Sequence, residues 1–157
     1  MIEIRKSNRD DLEALVKLNE EVQSLHAKAF PNLFKKTPKH SDVIDFFAKL
    51  LTSEKSYIYV ALNEHQIVGY AWCQYKEIGE SALTHKIKKI HIEHIVVTNT
   101  QRNCGVGSKL LKEVESLGSM LGVNQISLDV WSFNTESNKF FRSQNYESYN
   151  DYLWKLI

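Results

Sequence analysis

The sequence is poor in the residues that break or cross-link a chain. Its 157 residues include two prolines, six glycines and two cysteines. So little proline and glycine excludes a disordered or collagen-like chain. The cysteines, Cys73 and Cys104, form neither a CxxC pair nor a disulfide framework, which predicts a reduced, cytoplasmic protein.

Long apolar runs and an excess of one charge are absent too. No run approaches the ~18 apolar residues of a membrane span, and the N-terminus lacks the apolar segment of a secretory signal. Twenty Lys and Arg against 19 Asp and Glu leave a net charge of +1. We therefore expect no nucleic-acid and no membrane partner, since both would favour a basic surface.

What remains is ordinary globular composition, with 43% hydrophobic and 25% charged residues. A chain of this length buries enough surface for one core, so we place a single domain at residues 1–157. The period of the apolar residues predicts an α+β mixture. Strands are predicted at about 2–4, 57–62, 67–75, 89–98, 126–130 and 152–157, and helical stretches at 12–18, 22–30, 41–51, 106–121 and 135–143.

The most informative segment covers residues 96–108, where an apolar strand ends and glycines open a helix. Gly105 and Gly107 expose backbone N–H groups at the helix N-terminus, where the dipole attracts anions. Arg102 adds a positive charge. The segment predicts a phosphate or pyrophosphate site, although its spacing fits neither a dinucleotide fingerprint nor a P-loop.

The spacing Arg102-x-x-Gly105-x-Gly107 resembles the R/Q-x-x-G-x-G/A motif of the GNAT superfamily of acetyl-CoA-dependent N-acetyltransferases. The strand IEHIVV before it, and the helix and the strand ISLDV after it, stand in the family's order. The segment from Asn134 to Tyr146 resembles the family pattern N-x-x-A-x-x-F-Y-x-x-x-G-F. The resemblance spans about residues 56–148.

This resemblance implies a layered α/β/α fold and an acetyltransferase. The expected sheet has about six to seven strands, mostly antiparallel, with one splayed parallel pair at about 89–97 and 125–130 and about four flanking helices. The implied reaction moves an acetyl group from acetyl-CoA directly to a primary amine of a small molecule, without a metal. Family members often form homodimers, and the strand predicted at 152–157 offers an edge for that.

The resemblance also implies which residues hold the coenzyme. Backbone amides from about Arg102 to Ser108 would bind the pyrophosphate, and the pantetheine arm would pair with strand 93–97. An N–H near Val96 or Val97 would polarise the thioester carbonyl. The full implied set is Ile95, Val96, Val97, Arg102, Asn103, Cys104, Gly105, Val106, Gly107, Ser108, Asn134 and Phe141.

The acceptor amine needs a base, because a lysine-like ammonium has a pKa of about 10.4 and its deprotonation near neutral pH costs ~4 kcal/mol. Glu93 is the leading candidate, since some small-amine members of the family carry a base glutamate in this strand. His94 and His91 are alternatives, because neutral imidazole is basic near neutral pH. Strand alternation predicts that His91 and Glu93 share one face and that His94 points to the other. No third metal ligand accompanies them.

Two positions depart from the family pattern. Phe141 stands where the family often has a tyrosine that protonates the leaving thiolate, and Asn145 stands where glycine is usual. Tyr146, Tyr149 and Tyr152 are substitutes for the missing acid. Without that acid, the chain has a second interpretation, as an acyl-CoA sensor or a partner-regulated module.

The resemblance implies an acceptor pocket built by the N-terminal helices, the strand-3 loop and the C-terminal segment. Aromatic residues predict its walls, with His26 or Glu21 as a polar handle. The wall candidates are Phe30, Phe34, Trp72, Tyr75 and Trp131. A third interpretation, peptide or protein acetylation, predicts a long open groove instead of an enclosed pocket.

Overall fold

The structure is a computed structural model that describes residues 1–157. Five strands and four α-helices follow one another along the chain. The strands are β1 (Ile2–Lys6), β2 (Ser56–Asn63), β3 (Gln66–Ile78), β4 (Ile87–Val97) and β5 (Ile126–Leu128). The helices are α1 (Leu12–Ala29), α2 (His40–Thr52), α3 (Val106–Met120) and α4 (Thr135–Ser143).

The strands form one mixed sheet in the order β1-β2-β3-β4-β5. The first four pair antiparallel, and β4 pairs with β5 in parallel. The α+β class and the single parallel pair are therefore confirmed. The sheet has five strands, fewer than the six to seven expected.

The missing strand is the one predicted at 152–157. Those residues form no regular element, and Tyr152 and Leu153 are largely exposed. A strand requires a neighbour that pairs with its backbone groups, and apolar residues alone do not supply one. The strand predicted at 152–157 is therefore absent, while the homodimer stays a prediction.

The first two helical stretches are a single helix, α1, of 18 residues. No proline or glycine stands between residues 18 and 22, so the polar residues there extend the helix instead of ending it. The helix ends at Ala29, just before Phe30 and Pro31, as the proline predicts. No helix of the structure combines the length and the apolar character that a membrane crossing requires.

Two hydrophobic clusters cover the two faces of the sheet. On one face, α3 and α4 pack through residues such as Leu110 and Phe141. On the other, α1 and α2 pack through Leu15 and Phe47, which lie against Tyr70 of β3. Each strand residue therefore faces one helical layer or the other, and this alternation positions the side chains described below.

The turn before α1 is held by a buried carboxylate. Asp11 is 5% exposed, and both oxygens accept bonds of 2.8 Å from the Arg5 guanidinium. The Asn8 N–H and the Ser7 hydroxyl also donate to it, at 2.8 and 3.2 Å. The bond from Arg5 lowers the pKa of Asp11; burial opposes this shift, and the bond from the Asn8 N–H adds to it.

Candidate active site

The N-terminus of α3 presents free hydrogen-bond donors. The N–H groups of Val106, Gly107 and Ser108 donate to no other group of the chain, and the first helical bond runs from Lys109 to Gly105. Gly105 has φ of +77°, the left-handed conformation that favours glycine, and a side chain there would point into open space. Free amides at a helix start form a site for an anion.

The loop before this helix is shaped by its own hydrogen bonds. The Nε of Arg102 donates to the Val97 carbonyl at 3.2 Å, and the exposed Cys104 thiol donates to the Arg102 carbonyl at 3.4 Å. Asn103 has φ of +60°. The guanidinium of Arg102 is partly exposed and lies 3.8 Å from Glu136 of α4.

The absence of a side chain at Gly107 also has a packing reason that the sequence did not reveal. A Cβ there would lie 2.9 Å from Cζ of Phe140, closer than a real contact allows. The missing side chain therefore lets α4 pack on the start of α3. This packing reason stands beside the predicted access of a ligand to the Gly107 N–H, which stays a prediction, whereas a Cβ at Gly105 would meet open space.

A gap opens in the sheet next to this helix. β5 pairs with β4 only from Ile90↔Ile126 to Ile92↔Leu128, while β4 continues to Val97. Along residues 93–97, every second pair of N–H and C=O groups faces this gap without a strand partner. An extended chain with amide groups fits such an edge by pairing with it.

A β-bulge places the polar side chains of β4. Trp72 pairs with His94 and Cys73 with Ile92, so Glu93 has no opposite residue on β3. The extra residue shifts the alternation, and His94 contacts Trp72 on the α1–α2 side of the sheet. The prediction that His94 points away from His91 and Glu93 was therefore wrong, because it assumed a regular strand.

Glu93 is bound by a cation that the sequence did not reveal. Its Oε1 lies 2.6 Å from Nζ of Lys76 on β3. Beside it, Nδ1 of His91 lies 2.9 Å from the Ser127 hydroxyl on β5, and Nε2 lies 3.6 Å from Asp129. Burial, with a smaller effect from Lys76, lowers the pKa of His91, so this imidazole is neutral near pH 7.

His94 is the end of a buried hydrogen-bond chain. Its Nδ1 lies 3.0 Å from the hydroxyl of Tyr70, and that hydroxyl donates to Oδ1 of Asn19 at 3.4 Å. The imidazole also packs edge-on against Trp72. Burial lowers the pKa of His94 to about 4, with a smaller effect from the nearby His26, so this imidazole is also neutral.

Most of the predicted acceptor aromatics do come together. Four of the predicted residues form an aromatic cluster with Phe133 and Trp154, at centroid distances between 4.9 and 6.4 Å. The four are His26, Phe30, Phe34 and Trp131. Sequence reasoning missed Phe133 and Trp154, because neither belongs to a predicted helix face.

The remaining acceptor candidates lie elsewhere. Trp72 is in the core, where its Nε1 donates to the Ser56 hydroxyl at 2.9 Å. Tyr75 lies on the opposite face and donates to Glu77. Glu21 accepts from the Thr98 hydroxyl at 3.2 Å, beyond the end of β4.

Two coenzyme candidates have structural contacts. Asn134 caps α4 by accepting from the Ser137 N–H at 3.1 Å. Phe141 is 7% exposed and packs against Phe140 and Tyr146 in the core, so it faces the sheet and not the solvent.

Three tyrosines are the predicted substitutes for the hydroxyl that Phe141 lacks, and none has a described contact with residues of the gap between β4 and β5. Burial raises the pKa of Tyr146 to about 12. Tyr149 and Tyr152 are exposed in the C-terminal segment.

The free amides at the start of α3 and the split parallel strand pair form an arrangement suited to a phosphate-bearing ligand with an extended arm. The model of the acetyltransferase (GNAT) family matches residues 19–146. Because this match covers most of the sequence, the chain belongs to the GNAT acetyltransferase family. No curated protein matches the chain.

Solved structures show the same fold. A mutant of the BH1408 protein from Bacillus halodurans has a TM-score of 0.90 at 23% identity, over 99% of both chains. The aminoglycoside N-acetyltransferase AAC(6')-Iy, in complex with CoA, has 0.80 at 17% identity, over 100% of this chain and 95% of that one. A predicted acetyltransferase with acetyl-CoA from Clostridium acetobutylicum has 0.76 at 15%, over 99% and 96%.

Proposed function

We propose that this protein transfers an acetyl group from acetyl-CoA to the primary amine of a small molecule. The observation that carries the proposal is the set of free N–H groups at the start of α3, directly beside the gap between β4 and β5. Similar structures were solved with CoA and with acetyl-CoA, and one of them is an aminoglycoside N-acetyltransferase.

The residues present fit acetyl-CoA. The amides of Val106 to Ser108, with the guanidinium of Arg102 at the rim, suit a pyrophosphate. The unpaired edge of β4 at residues 93–97 suits the amide groups of the pantetheine arm. An N–H of this edge near Val96 or Val97 would then stabilise the negative charge on the thioester oxygen.

In the proposed reaction the amine nitrogen attacks the thioester carbon. A C–N bond forms, the C–S bond breaks, and the electron pair of that bond leaves on sulfur. The ammonium begins with three protons: one passes to a base before the attack, one goes to the departing thiolate, and one stays on the amide. Glu93 is the proposed base, because it is 25% exposed at the bulge, whereas His94 is bonded to Tyr70.

A second candidate, an acyl-CoA sensor, is favoured by two observations. Glu93 is already paired with Lys76, and Phe141 supplies no hydroxyl to protonate the thiolate. A sensor would bind acetyl-CoA without consuming it. A thiol has a pKa of about 8.5, so it leaves without a dedicated acid, and we therefore favour the enzyme.

The test is the release of free CoA from acetyl-CoA in the presence of primary amines. The wild type should release CoA in an amine-dependent way, and Ser108→Asp should not, because its carboxylate would repel the pyrophosphate from the helix start. Ser116→Asp is the matched control, since it adds the same charge to the exposed far part of α3. Binding of acetyl-CoA with no turnover on any amine would favour the sensor.

A further inference from the structure

We infer that the acceptor carries a carboxylate next to its amine, as an α-amino acid does, and that Lys76 binds this carboxylate. The inference rests on the proposed function and names its substrate class. It starts from the polar cluster that surrounds Glu93, which we call the β4–β5 cluster: Lys76, His91, Glu93, Ser127 and Asp129.

The β4–β5 cluster lies where the two strands part. His91↔Ser127 and Ile92↔Leu128 are the last pairs of β4 with β5. Ile92 and Leu128 face the α3 side, so their neighbours His91 and Ser127 face the other side. The cluster therefore stands at the near end of the gap in which the proposed thioester would lie.

The cluster offers both signs of charge within reach of solvent. Nζ of Lys76 lies 2.6 Å from Glu93, and these side chains are 39% and 25% exposed. Asp129 adds a second carboxylate, 95% exposed, at 3.6 Å from the neutral His91. The cluster thus holds one cation and two carboxylates, all of them at least partly exposed.

An α-amino acid complements this arrangement, because it carries an ammonium and a carboxylate side by side. The carboxylate of the amino acid pairs with the ammonium of Lys76. The ammonium of the amino acid pairs with the oxygen of Glu93 that Lys76 releases. Each group exchanges one ion pair for another, so no charge is left unpaired. The exchange also frees Glu93 to accept the proton that the amine must lose before it attacks.

An acceptor with amines alone fits less well. It would have to break the pair between Lys76 and Glu93 and leave the ammonium of Lys76 facing a second cation, which costs affinity. A polyamine or an aminoglycoside favours a site with carboxylates only. Lys76 therefore acts as a selectivity residue against such acceptors.

The experiment compares matched acceptors: each L-amino acid against the amine of the same side chain without the carboxylate. For the best pair, the wild type should have a kcat/KM for the amino acid at least about tenfold higher, as expected for a charge-assisted contact. Lys76→Met should reduce this ratio to about one, chiefly by raising KM for the amino acid. Lys88→Met is the control, since Lys88 is exposed on the opposite face of β4 and should keep the ratio.

Each outcome separates this inference from the proposed function. Acetylation of amines with no preference for the amino acid, or an unchanged ratio in Lys76→Met, would overturn the inference and leave the acetyltransferase standing. Failure to acetylate any member of any pair, while acetyl-CoA binds, would overturn both. Acetyl-CoA affinity of Lys76→Met, expected to equal that of the wild type, shows that the variant is folded.

Discussion

The burial of His94 creates an acid sensitivity that substitution of this histidine should reduce. Desolvation lowers the pKa of His94 from 6.5 to about 4. The unfolded chain therefore binds more protons than the folded one between these two values. Stability from this source is complete above pH 6.5 and is lost as the pH falls toward 4.

The size of the effect follows from the shift. Each pKa unit corresponds to about 1.4 kcal/mol, so protonation of His94 removes at most about 3 kcal/mol, and about 2 kcal/mol by about pH 5. For a chain of this length, a loss of 1 kcal/mol lowers Tm by about 2–4 °C. His91 adds to the loss of stability at low pH, because its pKa is lowered too. The test therefore compares the wild type with a variant at both pH values.

The assay is urea unfolding of the wild type and of His94→Gln at about pH 7.5 and about pH 5. The wild type should lose about 2 kcal/mol more than the variant between the two conditions. His85→Gln is the control, because His85 is exposed and its replacement should leave the pH dependence of the wild type. Equal losses in wild type and His94→Gln would refute the argument from burial.

Three further predictions concern other residues. Gly107→Ala places a Cβ against the Phe140 ring and should cost about 1–3 kcal/mol of stability; an unchanged Tm would contradict this packing. Asp11→Ala leaves Arg5 without its partner and should lower the free energy of unfolding by about 2 kcal/mol, whereas a loss below about 0.5 kcal/mol would contradict the anchor. Cys104→Ser should keep acetyl-CoA affinity within about twofold, since backbone amides carry the site; a tenfold loss would give the thiol a role.

The features that depend on local sequence were predictable. The glycine pair, the helix that follows it and the stop before Pro31 are set by neighbouring residues, and each lies where the sequence predicts it. The parallel pairing of β4 with β5 also follows, since a helical crossover joins the two strands.

The features that depend on strand register were not predictable. Glu93 meets Lys76 across the sheet because a bulge stands between them, and no periodic pattern shows a bulge. The same bulge turns His94 to the side of His91 and Tyr70. The catalytic candidates were therefore found by residue type, while their partners needed the three-dimensional structure.

The packing of Phe141 was not predictable from the motif either. The resemblance implies a coenzyme contact for Phe141, which stays a prediction. Its burial beside Phe140 and Tyr146 shows a packing role that the motif alone did not indicate.

Calorimetric titration with acetyl-CoA tests the binding site at the start of α3 most directly. The wild type and Ser116→Asp should bind with equal affinity, and Ser108→Asp should bind at least about a hundredfold more weakly, since it adds a negative charge among the free amides. Thermal unfolding should show all three proteins folded. Equal binding by Ser108→Asp, or no binding by a folded wild type, would contradict a coenzyme site at this helix.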